Sequence, residues 1–313
     1  MESRHLIFDD KPSLKNPVLL MAFSGWSDAA ESATEAATYL IKKYSAKRFA
    51  RIDSEDFFEF SDTRPMVRLN KSQERVIDWP ENEFYHFSIP SQERDVVVGI
   101  GKEPHFKWKS FSYCMLDFIK QINPTITVTM GAFLSATSHL NEVMLVCLAN
   151  NPELAEKIGV DLSDYEGPTG IVGVLQSAFQ INKIDSISLW GNVPHYLANV
   201  KNPKVAYTLL EKFQELSEIS LDLETLKSHS EAFSQKVDDA ISKDSKLSEY
   251  VTDIDSEEIL DEALMTQGEI DLIGEDFSRD FDEELPPGDE VANEIEEIIR
   301  RKKRDSDKFP KLK

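Results

Sequence analysis

Tyr165-Glu166-Gly167-Pro168-Thr169-Gly170-Ile171-Val172-Gly173-Val174-Leu175 decides how this chain is read, together with Trp190-Gly191-Asn192-Val193-Pro194-His195-Tyr196 downstream. Three glycines spaced by threes open an apolar run, which predicts a sharp turn at Pro168-Thr169 and then a helix packed closely on a flat surface. The apolar rhythm breaks at Ile181-Asn182-Lys183, so the helix should end near Gln180. Ser186-Ile187-Ser188-Leu189-Trp190 then reads as a strand, and the Gly-Asn-x-Pro-His-Tyr segment as a polar loop beyond its carboxyl end. In α/β proteins that position collects binding groups, which makes His195 and Tyr196 candidate site residues.

Working outward, the same strand-then-polar-loop grammar recurs. Residues 18–23 are a continuous apolar run, as expected of a central strand covered on both faces, and Ser24-Gly25-Trp26-Ser27-Asp28 follows as its turn. Ala33, Ala36, Ala37, Leu40, Ile41 and Tyr44 mark one face of a helix. Residues 95–101 and 125–131 repeat the strand pattern, with a helix over about 109–121 between them and His139 in the loop after the latter. Residues 49–53 read as a further strand. Residues 57–87 form an aromatic-rich antiparallel excursion with short strands at 75–80 and 84–87, too rich in Phe, Tyr and Trp for the exposed loop of a monomer, so the excursion, Phe84 and Phe87 included, is expected to help build a self-association surface. Parallel strands separated by helices predict a three-layer α/β/α sandwich whose polar loops gather on one edge.

The domain reading follows from where this pattern stops. Residues 1–215 form the α/β/α domain, 216–268 a helical extension, and 269–313 an acidic tail expected to be disordered, with a short terminal helix over 291–304. Net charge is −22, and it is uneven: residues 1–220 carry 22 basic and 29 acidic side chains, residues 221–300 carry 6 and 26, and residues 301–313 carry 7 and 2. Such an acidic surface repels phosphate backbones, so nucleic acid is not an expected partner. No apolar run approaches the ~20 residues of a membrane span, and Met1-Glu2-Ser3-Arg4-His5 does not read as a signal peptide. Cys114 and Cys147 lie in apolar runs without metal-ligand spacing, which reads as reduced core cysteines of a cytoplasmic protein with no metal.

Several ordered blocks carry a resemblance. Gly25-Trp26-Ser27-Asp28-Ala29 after an apolar strand, Arg64-Pro65, Trp79-Pro80, Gly101-Lys102-Glu103-Pro104 with Trp108 and Phe111, the Tyr165–Gly170 block and Val193-Pro194-His195-Tyr196 together resemble the PAC2 family, named for proteasome assembly chaperone 2, over about residues 15–215. The long bacterial branch, with its helical C-terminal extension, is the nearest in pattern. The resemblance implies a fold related to nucleoside phosphorylases, homo-oligomers (often trimers), and protein clients such as proteasome subunits. Two segments depart from the family pattern. Thr137-Ser138-His139-Leu140-Asn141 keeps a histidine but lacks the arginine of the branch's Pro-His-Thr-Arg-Pro segment. Lys311-Leu312-Lys313 is not the hydrophobic–Tyr–any ending of relatives that dock into proteasome rings.

The candidate ligand cleft therefore comprises Trp26, Asp28, Arg64, Glu103, His139, Glu166, Thr169, Gly170, His195 and Tyr196, and each has a structural reading beside the chemical one. An Asp just before a helix is most often a cap. Glu103 and Glu166 suit either a carboxylate pair or loop N–H groups and Arg64. Thr169 and Gly170 open a helix that offers N–H groups to an anion, without P-loop spacing. His195 is the best chemical candidate, since histidine as a residue type ordinarily titrates near neutrality, yet a loop histidine usually bonds a carbonyl. The tryptophans read as packing anchors. No spacing defines a catalytic residue or calls for a cofactor. Two functions follow: a non-enzymatic interaction protein of the assembly-chaperone type, or an enzyme or binder of a nucleoside-like or small anionic ligand at the strand-end loops.

Overall fold

The computed structural model describes residues 4–243 and 245–256. Along the chain run β1 (Leu6–Phe8), β2 (Val18–Ser24), α1 (Ser32–Lys43), β3 (Lys47–Ile52), β4 (Met66–Leu69), β5 (Arg75–Asp78), β6 (Asn82–Ser88), β7 (Asp95–Lys102), α2 (Trp108–Ile122) and β8 (Ile126–Ser135). Then come β9 (Leu145–Ala149), α3 (Pro152–Ile158), β10 (Asp161–Leu162), α4 (Ile171–Ile181), β11 (Ser186–Pro194), α5 (Pro203–Ser217), α6 (Glu224–Ser242) and α7 (Ser245–Ser256). Two 3-10 turns, Ala29–Glu31 and His195–Leu197, follow β2 and β11.

Nine strands form one sheet in the order β1-β3-β6-β7-β2-β8-β11-β9-β10. Its centre, β7-β2-β8-β11, is parallel, whereas β6, β3, β1 and β9 each run antiparallel to the neighbour on their central side. Strand alternation sorts the core into two layers. Val18, Leu20 and Ala22 face α1 and α5, whose small Ala33, Ala36 and Ala37 let the helix approach the sheet closely. Leu19, Met21 and Phe23 face α2 and α4 among Phe111, Phe118 and Phe179. The three-layer α/β/α expectation holds. The N-terminus of α5 is set by Asn202, whose Oδ1 accepts from Lys204 N and Val205 N at 3.2 Å, with Pro203 at the first helical position.

The helices α6 and α7 build a third cluster of their own. Phe233, Val237, Ala240, Ile241 and Val251 pack on Tyr196, Leu197 and Val200, just beyond the end of β11. The extension thus caps the carboxyl edge of the sheet.

Two expectations are corrected. Gly191-Asn192-Val193-Pro194 is strand, not loop: it pairs in parallel with residues 132–135, and Asn192 accepts from Met144 N at 2.8 Å through its side chain. A Gly-Asn pair signals a turn only where its backbone lacks a ladder partner. Second, Phe84 and Phe87 are core residues, not surface. β6 lies between β3 and β7 in the main sheet, and the Phe84 ring stacks on Phe118 with centroids 3.8 Å apart. What projects from the excursion is the separate β4–β5 hairpin, closed by Asn70, whose Oδ1 accepts from Ser72 N and Glu74 N at 2.9 Å. The expected linker over 276–289 and terminal helix over 291–304 lie outside the described residues.

Candidate functional site

The strand-end residues fall into three groups. The first is the corner between β2, β7 and α4. Gly25 turns the chain at φ +122°, a conformation open to glycine and strained for other residues, and the next strand contributes Glu103, whose N–H donates to Ser24 O at 2.9 Å. Glu103 Oε2 accepts from Ile171 N at 2.6 Å, so a carboxylate of the protein already takes the N–H at the start of α4. A methyl group at Gly170 would lie 2.6 Å from Ser27 Oγ, 2.7 Å from Glu103 Oε2 and 3.0 Å from the half-buried Trp26 ring. The corner is closed by contact. Glu166 and Thr169 are exposed on the loop before it, where the Tyr165 hydroxyl donates to Pro168 O at 3.1 Å.

The second group surrounds Asp28. Its Oδ1 accepts from Ala33 N at 2.7 Å and Thr34 N at 3.3 Å, and its Oδ2 accepts from the Thr34 hydroxyl. This is the capping role the sequence position suggested. Burial pushes the Asp28 carboxyl up to about 7, against the pull of those three hydrogen bonds. Glu35, one turn into α1, is likewise raised to about 7 by burial, with Lys201 opposing and the Glu31 and Asp28 charges adding to the rise. Ala30 and Glu31 between them occupy left-handed backbone at φ 54° and 52°. That turn is held by Asn202 N donating to Ala30 O at 3.2 Å and by a 3.0 Å Lys201–Glu31 ion pair.

The third group is His139, His195 and Tyr196. The Tyr196 hydroxyl, fully buried, lies 2.7 Å from both His139 N and His139 Nδ1, and His139 Nε2 lies 2.9 Å from Asp238 Oδ1 on α6. With the backbone N–H donating to the hydroxyl, the hydroxyl proton goes to Nδ1 and Nε2–H donates to the carboxylate. His195 Nδ1 reaches Ser135 O at 3.2 Å and its Nε2 reaches the Tyr250 hydroxyl on α7 at 2.7 Å. Lys204 Nζ donates to His139 O at 2.8 Å and Asn141 O at 2.7 Å; burial lowers its pKa, with Asp238 and Glu142 opposing. Both histidines are latches between sheet and extension.

A small cleft opens beside this third group, lined by His139, Asn141, Asn192, Lys204 and Phe233 among others. His139 is the one candidate residue on its wall. Arg64 is exposed before β4, beside the hairpin. Among the described residues no group of three or more His, Cys, Asp or Glu side chains is placed to hold a metal, and no helix is long and apolar enough to cross a membrane. Sequence reasoning missed Glu35, Lys204, Asp238 and Tyr250. Only the amphipathic spacing of the extension hinted at the last two, and it could not say which polar residues turn inward.

With this geometry in place, comparison with known proteins is specific. The PAC2 family model matches residues 22–241. The chain is 34% identical to a PAC2 family protein from Streptomyces avermitilis, with a TM-score of 0.70, covering 75% of this chain and 99% of that one. It is 33% identical to a Mycobacterium tuberculosis proteasome-assembly chaperone homologue, with a TM-score of 0.68 and the same coverage. An archaeal proteasome activator from Pyrococcus furiosus, 20% identical over 75% of this chain and 97% of that one, shares the fold at a TM-score of 0.60.

Proposed function

The chain belongs to the PAC2 family, and from that premise we propose that it is a non-enzymatic interaction protein of the assembly-chaperone type. Its proposed clients are protein subunits, with proteasome ring subunits the first class to test, in line with the similar mycobacterial chaperone homologue. The observation that carries the reading is at the strand-end edge. There His139 and His195 are bonded to Asp238 and Tyr250 of the extension, Tyr196 is buried, and Glu103 occupies the helix start that an anion would need. Groups so committed hold a fold together; a substrate would have to break those bonds to reach them.

The client surface we propose is the face of the β4–β5 hairpin that carries Val67, Leu69 and Ile77. Val67 pairs across the strands with Ile77, Leu69 with Arg75, and Trp79 continues the same face with Phe60 at 5.1 Å. Four exposed apolar residues on one face of a two-stranded sheet are suited to bury against a partner. Self-association is a separate part of the proposal. It is placed on the α2/α4 layer, where Tyr113 and Ile181 are exposed on helices that pack side by side.

The test is capture from native extract by the full chain, comparing wild type with Val67→Asp/Ile77→Asp, beside a thermal-shift screen of nucleosides and small anions. Loss of a defined protein partner in the variant supports the reading. A stabilising nucleoside with no hairpin-dependent partner favours the small-ligand alternative.

A further inference from the structure

The hairpin face carries apolar side chains along its length and differs in charge between its two ends. Strand alternation puts Val67, Leu69, Arg75 and Ile77 on one face and Met66, Arg68, Val76 and Asp78 on the other, where Arg68 pairs with Asp78 at 2.6 Å. Val67, Leu69, Ile77 and Trp79 are 53%, 57%, 50% and 46% exposed.

At the Trp79 end stands an acidic turn. Residues 53–62 carry five acidic side chains and no basic one. Phe60, whose ring centroid lies 5.1 Å from that of Trp79, sits between Glu59 and Asp62. Asp62 N and Thr63 N close the turn by donating to Glu59 O at 3.1 and 2.9 Å. Glu59 N donates to His105 Nδ1 at 2.9 Å, and His105 Nε2 lies 3.2 Å from Asp62 Oδ2, so the turn is fixed on the loop before α2. The Ser61 hydroxyl and N–H hold the Glu59 carboxyl below its usual range, which keeps it ionised. Of the cations near this end, Arg4 and Lys107 pair with Asp56 and Arg51 pairs with Glu81; Arg64 remains against the exposed Glu55, Glu59 and Asp62. The opposite end, residues 70–75, carries Lys71 and Arg75 against Glu74.

This layout selects a partner. Trp79, the Val67–Ile77 pair and the Leu69–Arg75 pair make three steps at alternate strand positions, spanning about 13 Å. An extended segment has the same period and sets one side chain on each step. The first step joins a half-exposed indole to ionised carboxylates, which suits a guanidinium or ammonium lying over the ring. The other two suit aliphatic side chains.

We infer that the hairpin face recognises an extended client segment of the pattern basic–x–apolar–x–apolar, its Arg or Lys over Trp79 beside Glu59 and Asp62 and its apolar residues on Val67, Ile77 and Leu69. This names the class of segment taken by the client surface proposed above, and it rests on that reading. The charge difference fixes which end of the segment lies at Trp79, because a base placed at the other end meets Lys71 and Arg75.

The experiment is fluorescence anisotropy of the full chain with three labelled peptides, acetylated and amidated: Arg-Ser-Val-Ser-Leu-Ser and its counterparts beginning with Gln or Glu. The Arg peptide should bind about tenfold more tightly than the Gln peptide, the scale of a cation over an indole added to exposed ion pairs, and the Glu peptide should bind most weakly. In the full-chain variant Glu59→Gln/Asp62→Asn the Arg advantage should fall to about threefold, the share left to the indole. Val67→Asp/Ile77→Asp should weaken all three peptides. Equal binding of the three, tightest binding of the Glu peptide, or an Arg advantage unchanged in Glu59→Gln/Asp62→Asn overturns the inference. Where Val67→Asp/Ile77→Asp still weakens that binding, the client surface stands with another specificity. No binding of any peptide to wild type also overturns the inference. Peptide binding untouched by Val67→Asp/Ile77→Asp overturns the client surface and the inference together.

Discussion

His139 Nε2 lies 2.9 Å from Asp238 Oδ1, a contact across 99 residues of sequence that ties the loop after β8 to the extension helix α6. The neighbouring Tyr196 hydroxyl accepts from His139 N and bonds Nδ1, so one buried phenol satisfies two groups. Tyr196→Phe should cost about 1–3 kcal/mol, because it leaves a buried N–H unpaired. Asp238→Asn should cost under about 1 kcal/mol, since that side chain is 42% exposed. Urea unfolding of both variants checks the order.

Phe84→Asp should abolish folding instead of separating subunits. The ring is buried and stacked on Phe118 in the α2/α4 layer, so an ionised carboxylate there would be taken out of water into an apolar core. A loss above about 4 kcal/mol follows from burying a charge in a core position. A folded Phe84→Asp chain, judged by its circular dichroism melt, would contradict this packing.

Glu35 gives a pH dependence of definite sign. Its folded-state pKa is raised by burial to about 7, above the ordinary carboxylate value, so between those limits the folded protein binds the proton that the unfolded chain releases. The Glu35 contribution therefore favours folding below the unfolded value and is lost as pH rises through about 7. Its Oε2 is buried without a hydrogen-bond partner among the described residues. Glu35→Gln should consequently be more stabilising, relative to wild type, at pH 8 than at pH 5. Denaturant melts at the two pH values supply the comparison, and an equal difference at both would refute the assignment.

How far these features could be read from sequence differs by element. Of the four central strands, β2 and β7 were legible because a strand covered on both faces reads as a continuous apolar run, as residues 18–23 and 96–98 do. β8 and β11, whose runs are interrupted by the buried Thr127, Thr129, Ser186 and Ser188, were legible from β-branched and apolar residues bounded by turn signals. β9 was not, although Leu145-Val146-Cys147-Leu148-Ala149 is apolar, because nothing local says that a strand reverses direction beside β11. The turn and cap at Asp28 were legible, as a short-range cap is written in neighbouring residues. The partners of His139 and His195 were not, since Asp238 and Tyr250 lie 99 and 55 residues away and only folding brings them together. Phe84 and Phe87 misled for a related reason. Aromatic richness shows that a segment is buried without showing whether the burial is within the chain or between copies.

The self-association proposal predicts a solution mass that is a multiple of 35.6 kDa by light scattering at micromolar concentration. Val67→Asp/Ile77→Asp should leave that mass unchanged, and Tyr113→Asp/Ile181→Asp should reduce it. A monomer in wild type across salt conditions rules the proposal out.

The most direct measurement of the central claim is sedimentation velocity of the purified full chain mixed with unassembled proteasome ring subunits. A co-sedimenting complex is predicted, weakened about tenfold or more by Val67→Asp/Ile77→Asp, the scale expected when central apolar anchors of an interface are lost. Unaltered sedimentation of both components, or a complex that the hairpin variant forms equally well, would contradict it.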